Sequence, residues 1–179
     1  MTLLPRKLAA ATAVAGAGAL AAAMLLYGLG ARVNTTRSIP LGLYWLSKRP
    51  IARSEYVLLC PPQIGVMAEA KRRGYLAAGF CPGDYGYMMK KVLAAENDTV
   101  AITDAGVFIN GALQRHSIPR SRDAMGRPMP RYQHREFIVG QQEVLLLSDI
   151  SATSFDGRYF GPVNRSQIEA VIEPIFTWK

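Results

Sequence analysis

The chain has 179 residues, room for one domain and an appendage. Half of it is hydrophobic, and 21 basic residues against 13 acidic ones give a net charge of +8. So basic a chain raises nucleic acid as a partner, yet it offers no aromatic-interleaved basic helix and no zinc-ligand spacing, so nucleic-acid binding is set aside.

Leu8 to Gly30 is an uncharged run of 23 residues preceded by Arg6 and Lys7. As a helix it would be roughly 35 Å long, against roughly 30 Å of bilayer hydrocarbon. Fourteen of its residues are Ala or Gly and only five are Leu, a weak composition for a span. A cleaved secretory signal is the alternative, although its apolar core is usually only about 7–15 residues. The small residues of Leu29-Gly30-Ala31 would suit a processing enzyme. The length favours a retained anchor, and both readings export the chain beyond Arg32. Basic residues flank the run on both sides, at Arg6, Lys7, Arg32 and Arg37. A long domain after the run crosses largely regardless of such charges, so the expected arrangement is a short cytoplasmic tip, an inner-membrane helix and a periplasmic domain. The division falls at residues 1–31 and 32–179. Beyond the anchor 19 basic residues face 13 acidic ones, a balance suited to anionic lipid headgroups.

The exported part reads as strands. Leu43–Leu46, Tyr56–Leu59 and Tyr87–Met89 are short apolar or aromatic runs set off by Pro and Gly. Val100–Ile102 and Val107–Ile109 flank a hairpin turn, and Asn110-Gly111 marks another. Phe137–Val139 and Glu143–Leu147 are expected to pair around Gly140. Ile64 to Tyr75 is the one expected helix here, with Arg72 and Arg73 in its last turn and Gly74 as stop. Ile168–Ile172 fits either a short helix or the last strand. Ser117–Arg135, basic and with three prolines, reads as a surface excursion. The expected fold is one mainly antiparallel β domain, a partly open barrel, behind a transmembrane helix.

Cys60 and Cys81 suit an oxidising compartment and form no C-x-x-C pair. Both border Pro-containing turns around the expected helix, so a disulfide is expected, against an alternative of two buried thiols. No metal or cofactor is expected.

Three segments carry the chemistry. Thr36-Arg37-Ser38-Ile39-Pro40 comes just after the membrane run, Tyr87-Met88-Met89-Lys90-Lys91-Val92 precedes the hairpin, and Ser148–Gly161 contains Ser154-Phe155-Asp156-Gly157-Arg158-Tyr159. In this order they resemble the signature blocks of type I signal peptidases, and the resemblance runs from about Leu8 to Pro162. Asp98-Thr99-Val100 and Phe108–Gly111 look like the strand and hairpin between the last two blocks. Several positions depart from the common pattern. Ser38-Ile39-Pro40 lacks a Met after the serine, Lys91 stands where Arg is common, Ser148 replaces Gly, and Ala95–Asp98 replaces a Leu-Pro-Gly-Asp turn. With Cys60-Pro61-Pro62, Arg73-Gly74-Tyr75-Leu76 and Phe80-Cys81-Pro82-Gly83, these are similar to the TraF peptidases of conjugative transfer systems, which mature pilins.

The resemblance implies a serine–lysine dyad with Ser38 as nucleophile. A serine hydroxyl must lose its proton to a base, and lysine is a known partner for it. Lysine at its usual pKa of about 10.4 is protonated at neutral pH, so the base must be buried among apolar groups that disfavour its charge. Met88, Met89 and Val92 are the candidates for that company. Adjacent strand residues face opposite sides, so only one of Lys90 and Lys91 can meet Ser38. Periodicity does not choose; the resemblance chooses Lys90. It further implies that Ser154 orients the amine, that Thr36 joins the Ser38 N–H in an oxyanion hole, and that Asp156 braces the site beside Arg158. Asp149 and Asp156 also fit plain turn formers. His116 and His134 have no partner acid motif, which argues against a Ser-His-Asp triad.

The implied function is cleavage of a small membrane-associated precursor, a conjugative pilin, with ligation to a cyclic product in prospect and conjugation or secretion machinery as further partners. A general signal peptidase is the nearest alternative. A non-enzymatic anchored assembly protein is the alternative from another class.

Overall fold

The computed structural model describes residues 4–132 and 134–178. Helix α1 (Leu4–Gly28) is Ala-rich and apolar on every side, and each side chain from Lys7 to Leu29 is exposed. The stretch Lys7–Gly28, 22 residues, is long and apolar enough to cross a membrane. A helix apolar all round that packs against no protein is suited to lipid. The Thr12 hydroxyl donates back to the carbonyls of Leu8 and Ala9. At its end Arg32 stacks 3.8 Å over the Tyr27 ring and donates to the Tyr27 carbonyl at 2.7 Å, placing a cation at the negative pole of the helix. The chain passes straight into the domain, because the Gly30 carbonyl accepts from Leu46 N.

Beyond α1 the described residues form twelve strands: β1 (Ala31–Asn34), β2 (Leu41–Ser47), β3 (Tyr56–Leu59), β4 (Ala78–Cys81), β5 (Met88–Ala94), β6 (Thr99–Thr103), β7 (Gly106–Ile109), β8 (Ala112–Leu113), β9 (Glu136–Ile138), β10 (Glu143–Leu147), β11 (Val163–Asn164) and β12 (Ile168–Trp178). Helices α2 (Gly65–Arg72) and α3 (Gly157–Phe160) interrupt them. Seven strands form a large antiparallel sheet in the order β1-β2-β12-β3-β5-β10-β11, and four form a smaller one, β8-β7-β6-β9. No closed barrel results; the fold is mainly antiparallel β. The two expected hairpins form, with Thr103 opposite Gly106 and Ile109 opposite Ala112, and Asn110 and Gly111 both take positive φ.

Two expectations need correction, and one left open is decided. Phe137–Val139 does not pair with Glu143–Leu147: β9 joins β6 in the small sheet, whereas β10 joins β5 and β11 in the large one. The turn at Gly140 is a crossing between sheets, and the Gly140 N–H donates to the Glu143 carboxylate. Ile168–Ile172 is the start of an eleven-residue strand that lies between β2 and β3. Gly42 makes that close approach feasible, since a Cβ there would lie 2.3 Å from the Phe176 carbonyl oxygen. Finally, Ser117–Arg135 is more than a surface excursion, because part of it walls the cleft over Ser38.

The main core lies between the large sheet, α2 and α3, where Val57, Met67, Met88, Val92, Leu146 and Phe155 pack together. A second cluster joins the sheets through Val100, Ile109, Leu145 and Leu147. Cys60 and Cys81 form a disulfide that ties the end of β3 to β4 across α2, with a sequence separation of 21. Closing such a loop contributes about 3 kcal/mol in the chain-entropy model.

Candidate active site

Ser38 sits in the turn between β1 and β2. Asn34 builds that turn. It is buried, its Oδ1 accepts from both the N–H and the hydroxyl of Thr36, and its Nδ2 lies 2.8, 3.0 and 2.9 Å from the carbonyls of Thr36, Ile39 and Pro40. The fully buried Ile39 plugs the turn into the core, and the Tyr44 hydroxyl donates to the Pro40 carbonyl at 2.6 Å. Burial pushes the Tyr44 phenol up to about 12, so it stays a donor. The Ser38 side chain is thus presented from a locked loop.

Strand β5 alternates in burial along its length, and Met88, Lys90, Val92 and Ala94 share the inward face. Lys90 is only 4% exposed. Its Nζ donates to Ser38 Oγ at 2.6 Å and to Ser154 Oγ at 2.7 Å, and the two hydroxyls are 3.2 Å apart. The ammonium form is disfavoured by burial, which lowers the Lys90 pKa to about 8. The Asp156 carboxylate pulls it up and Arg158 pushes it down, both less strongly. Met88 and Val92 supply the apolar surroundings, as their spacing suggests. Met89 instead packs on the opposite face, against the cluster of Ile39, Tyr44 and Leu58. Lys91, also turned away, pairs with Asp149 at 2.6 Å.

Ser154 is held by the last segment. Asp156 caps α3, accepting from Arg158 N, and its carboxylate also takes Ser148 N and the Arg158 guanidinium. Both side chains of that ion pair are fully buried. The remaining Arg158 donors reach the carbonyls of Ser154 at 2.7 Å, Ala152 at 3.0 Å and His116 at 3.0 Å. A buried guanidinium with all its donors engaged fixes the backbone on both sides of Ser154. Ser148 adds a clamp that glycine would lack: its hydroxyl accepts from Ser151 N at 2.9 Å and Ile150 N at 3.3 Å.

The three hydroxyl and amine groups open onto a cleft of about 410 Å³ lined by Tyr75, Tyr87, Met129, Phe155 and Tyr159 among others. A buried amine whose charged form is disfavoured, set against a hydroxyl at the floor of a cleft, can transfer a proton to and from that hydroxyl.

The family described as "Signal peptidase, peptidase S26" matches residues 7–178. The chain belongs to this family. A plasmid transfer protein TraF of Escherichia coli is 61% identical over 166 residues, covering 93% of this chain and 94% of the relative. A second E. coli plasmid transfer protein TraF is 57% identical over 178 residues, 99% of this chain and 100% of the relative. A conjugal transfer protein TraF of Agrobacterium fabrum is 36% identical, covering 83% of this chain and 84% of its own. Among solved structures, a signal peptidase I from Enterococcus faecalis aligns with a TM-score of 0.39 at 18% identity, over 71% of this chain and 100% of its own. This is a TraF-like member of the signal-peptidase family.

In this S26 chain the structure brings Ser38, Lys90 and Ser154 into contact, while Asp156 binds Arg158, which holds the Ser154 carbonyl. Thr36 lines the cleft, but its hydroxyl is 3.0 Å from Asn34 Oδ1, to which it donates. Its expected place in an oxyanion hole requires that hydroxyl to turn from Asn34 toward the cleft. The Ser38 backbone N–H meets no acceptor among the described residues. His116 is exposed and His134 packs against Tyr132, and neither lines the cleft. Sequence reasoning missed Asn34 and Ser148. An Asn at a strand end two residues before a hydroxyl residue is an available signal for a side-chain-built turn.

Proposed function

We propose that the chain is a membrane-anchored serine endopeptidase in which Ser38 is the nucleophile and Lys90 the general base. The observation that carries this reading is the buried Lys90 amine, 2.6 Å from Ser38 Oγ, with its pKa lowered to about 8. About a tenth of such amines are neutral at pH 7, against about four in ten thousand at an unperturbed lysine value. The neutral amine takes the Ser38 proton as Oγ attacks the scissile carbonyl. The resulting oxyanion is received by the unpartnered Ser38 N–H, with Thr36 as second donor once its hydroxyl turns. Lys90 then passes the proton to the leaving amine, and an acyl-enzyme remains on Ser38. Ser154 and the Arg158–Asp156 pair position the amine and take no proton.

The substrate we infer is a small membrane-associated precursor of a conjugation system, a pilin subunit. The TraF relatives, named for plasmid and conjugal transfer, support the setting. Water, or the substrate's own N-terminal amine held close, resolves the ester. Proximity gives such an amine effective molarities of about 10⁵ M or more, and the product is then cyclic. Co-expression with pilin precursors followed by mass spectrometry tests the reading. The precursor should be processed by the native chain and left intact by Ser38→Ala. A product heavier than the cyclic form by one water, about 18 Da, would mean hydrolysis only and would remove cyclisation while leaving the peptidase.

The anchor reading places α1 in the inner membrane and the domain in the periplasm. Protease added to spheroplasts should digest the domain and leave a short membrane-held fragment, whereas complete protection would reverse the orientation.

A further inference from the structure

The cleft in front of Ser38 is walled on one side by the Ser117–Arg135 segment, which contributes Arg120, Arg122 and Asp123, while Arg37 enters from the nucleophile turn. Among the described residues these are the charged groups that line the cleft apart from Lys90. Asp123 does not offset the arginines. Its carboxylate accepts from the Tyr75 hydroxyl and from Arg127 Nε, both at 2.6 Å, and from two backbone N–H groups, and its side chain is only 8% exposed. Those bonds hold Asp123 well below the usual carboxylate range, so it is a satisfied structural anion. The arginines are differently placed. Arg122 spends one nitrogen on the Gly126 carbonyl, and among the described residues the guanidinium groups of Arg37 and Arg120 meet no acceptor.

Their backbones are nevertheless fixed. Arg120 N donates to the Tyr159 hydroxyl on α3, and Arg122 bridges Pro128 across the segment. Three exposed guanidinium groups lining the rim of a cleft with aromatic walls, with the one carboxylate among its described lining residues already consumed, leave an unmatched positive field over the place where substrate must lie. Planar guanidinium groups recognise carboxylates with paired hydrogen bonds.

We propose that Arg37, Arg120 and Arg122 form a carboxylate-reading subsite, so that the preferred substrate carries an acidic side chain or a free C-terminal carboxylate within a few residues of the cleaved bond. The proposal rests on the peptidase reading and adds to it the chemical class of substrate. The same field would also attract the phosphate of an anionic lipid, and the test includes that outcome.

Full-length protein in detergent micelles is incubated with a proteome-derived peptide library, and cleavage sites are mapped by mass spectrometry. The best-cleaved sequences are then synthesised in three forms: unmodified, with the acidic residue as its amide (Glu→Gln or Asp→Asn), and with an amidated C-terminus. The native chain should favour the unmodified peptide over one amidated form by about tenfold, the size expected for a half-exposed charged hydrogen bond. Which amidation costs turnover identifies the side chain or the terminus as the source. In Arg37→Gln/Arg120→Gln/Arg122→Gln that ratio should fall to about one, through KM rather than kcat, and the triple Lys variant should recover part of it. Cleavage by the native chain with no preference in either arm would overturn the subsite and leave the peptidase. No cleavage by the native chain, together with no acylation of Ser38, would overturn both. A triple Gln variant that keeps its peptide preference but loses binding to phosphatidylglycerol vesicles would overturn the carboxylate assignment in favour of lipid.

Discussion

Lys90 and Lys91 are neighbours on one strand, and the protein treats them in opposite ways. Lys91 points to the outer face of β5, where it is partly exposed and pairs with Asp149 at 2.6 Å. Lys90 points inward, is buried, and is given two hydroxyls in place of a carboxylate. The nearest buried acid, Asp156, is largely spent on Arg158. An ammonium beside a carboxylate keeps its proton, whereas one surrounded by Val57, Met88 and Val92 and met only by neutral oxygens sheds it more readily. What separates the two lysines is therefore the choice of partner, one residue apart.

The largest effect expected from breaking this contrast is on activity. Lys90→Ala should lower turnover by about 10²–10⁴, the range for loss of a general base. Ser38→Ala/Lys90→Ala should be scarcely worse than either single change, because the two act as a unit. Lys91→Ala should keep most of the activity. A dead Lys91→Ala with a working Lys90→Ala would invert the assignment. Ser154→Ala, which removes one of the two hydroxyls on the amine, should cost about ten- to a hundredfold.

A smaller effect of opposite sign is expected on stability. The unfolded lysine holds its proton up to about pH 10.4. The folded one releases it near 8, so folding carries a cost that is fully present below about pH 8 and fades as pH rises toward the unfolded value. Lys90→Met, which removes the charge and keeps the volume, should therefore stabilise the inactive protein at pH 7 by on the order of 1–3 kcal/mol. The corresponding change at Lys91 should destabilise by about 1 kcal/mol or less, the usual worth of a partly exposed ion pair. Melting curves of the two variants at pH 7 check both signs.

Much of this was legible in the sequence, but unevenly. The two hairpins and α2 arise from local pattern, because alternation and turn chemistry are short-range properties, whereas which of Lys90 and Lys91 faces inward does not, since alternation alone allows either. The departures from the family pattern also have local reasons. Asn97 takes the positive φ that a Gly would take in the Ala95–Asp98 turn, and Asp98 closes that turn by accepting Ala95 N. The partners of Phe137–Ile138 were not legible, since a three-residue strand carries no signal for which sheet it joins. Nor was the length of β12, because Pro174 argues against a central strand and the irregular register between Pro174 and Phe176 accommodates it. The cleft wall built from Ser117–Arg135 depends on Arg158 reaching the carbonyls of His116 and Ile118, about 40 residues away in sequence. Ser148 acts through backbone groups, which no pattern of side-chain types displays, whereas Asn34, two residues before Thr36, did leave a signal.

The central claim is that Lys90 is neutral enough near physiological pH to accept the Ser38 proton. Lysine side chains labelled with ¹³C at Cε can be titrated by NMR in the full-length protein in micelles, with Lys90→Met identifying the Lys90 signal. The account predicts that this signal titrates near pH 8 and that it tracks the pH dependence of Ser38 acylation, both rising as the amine loses its proton. A Lys90 signal that titrates near the ordinary lysine value of about 10.4 would contradict it.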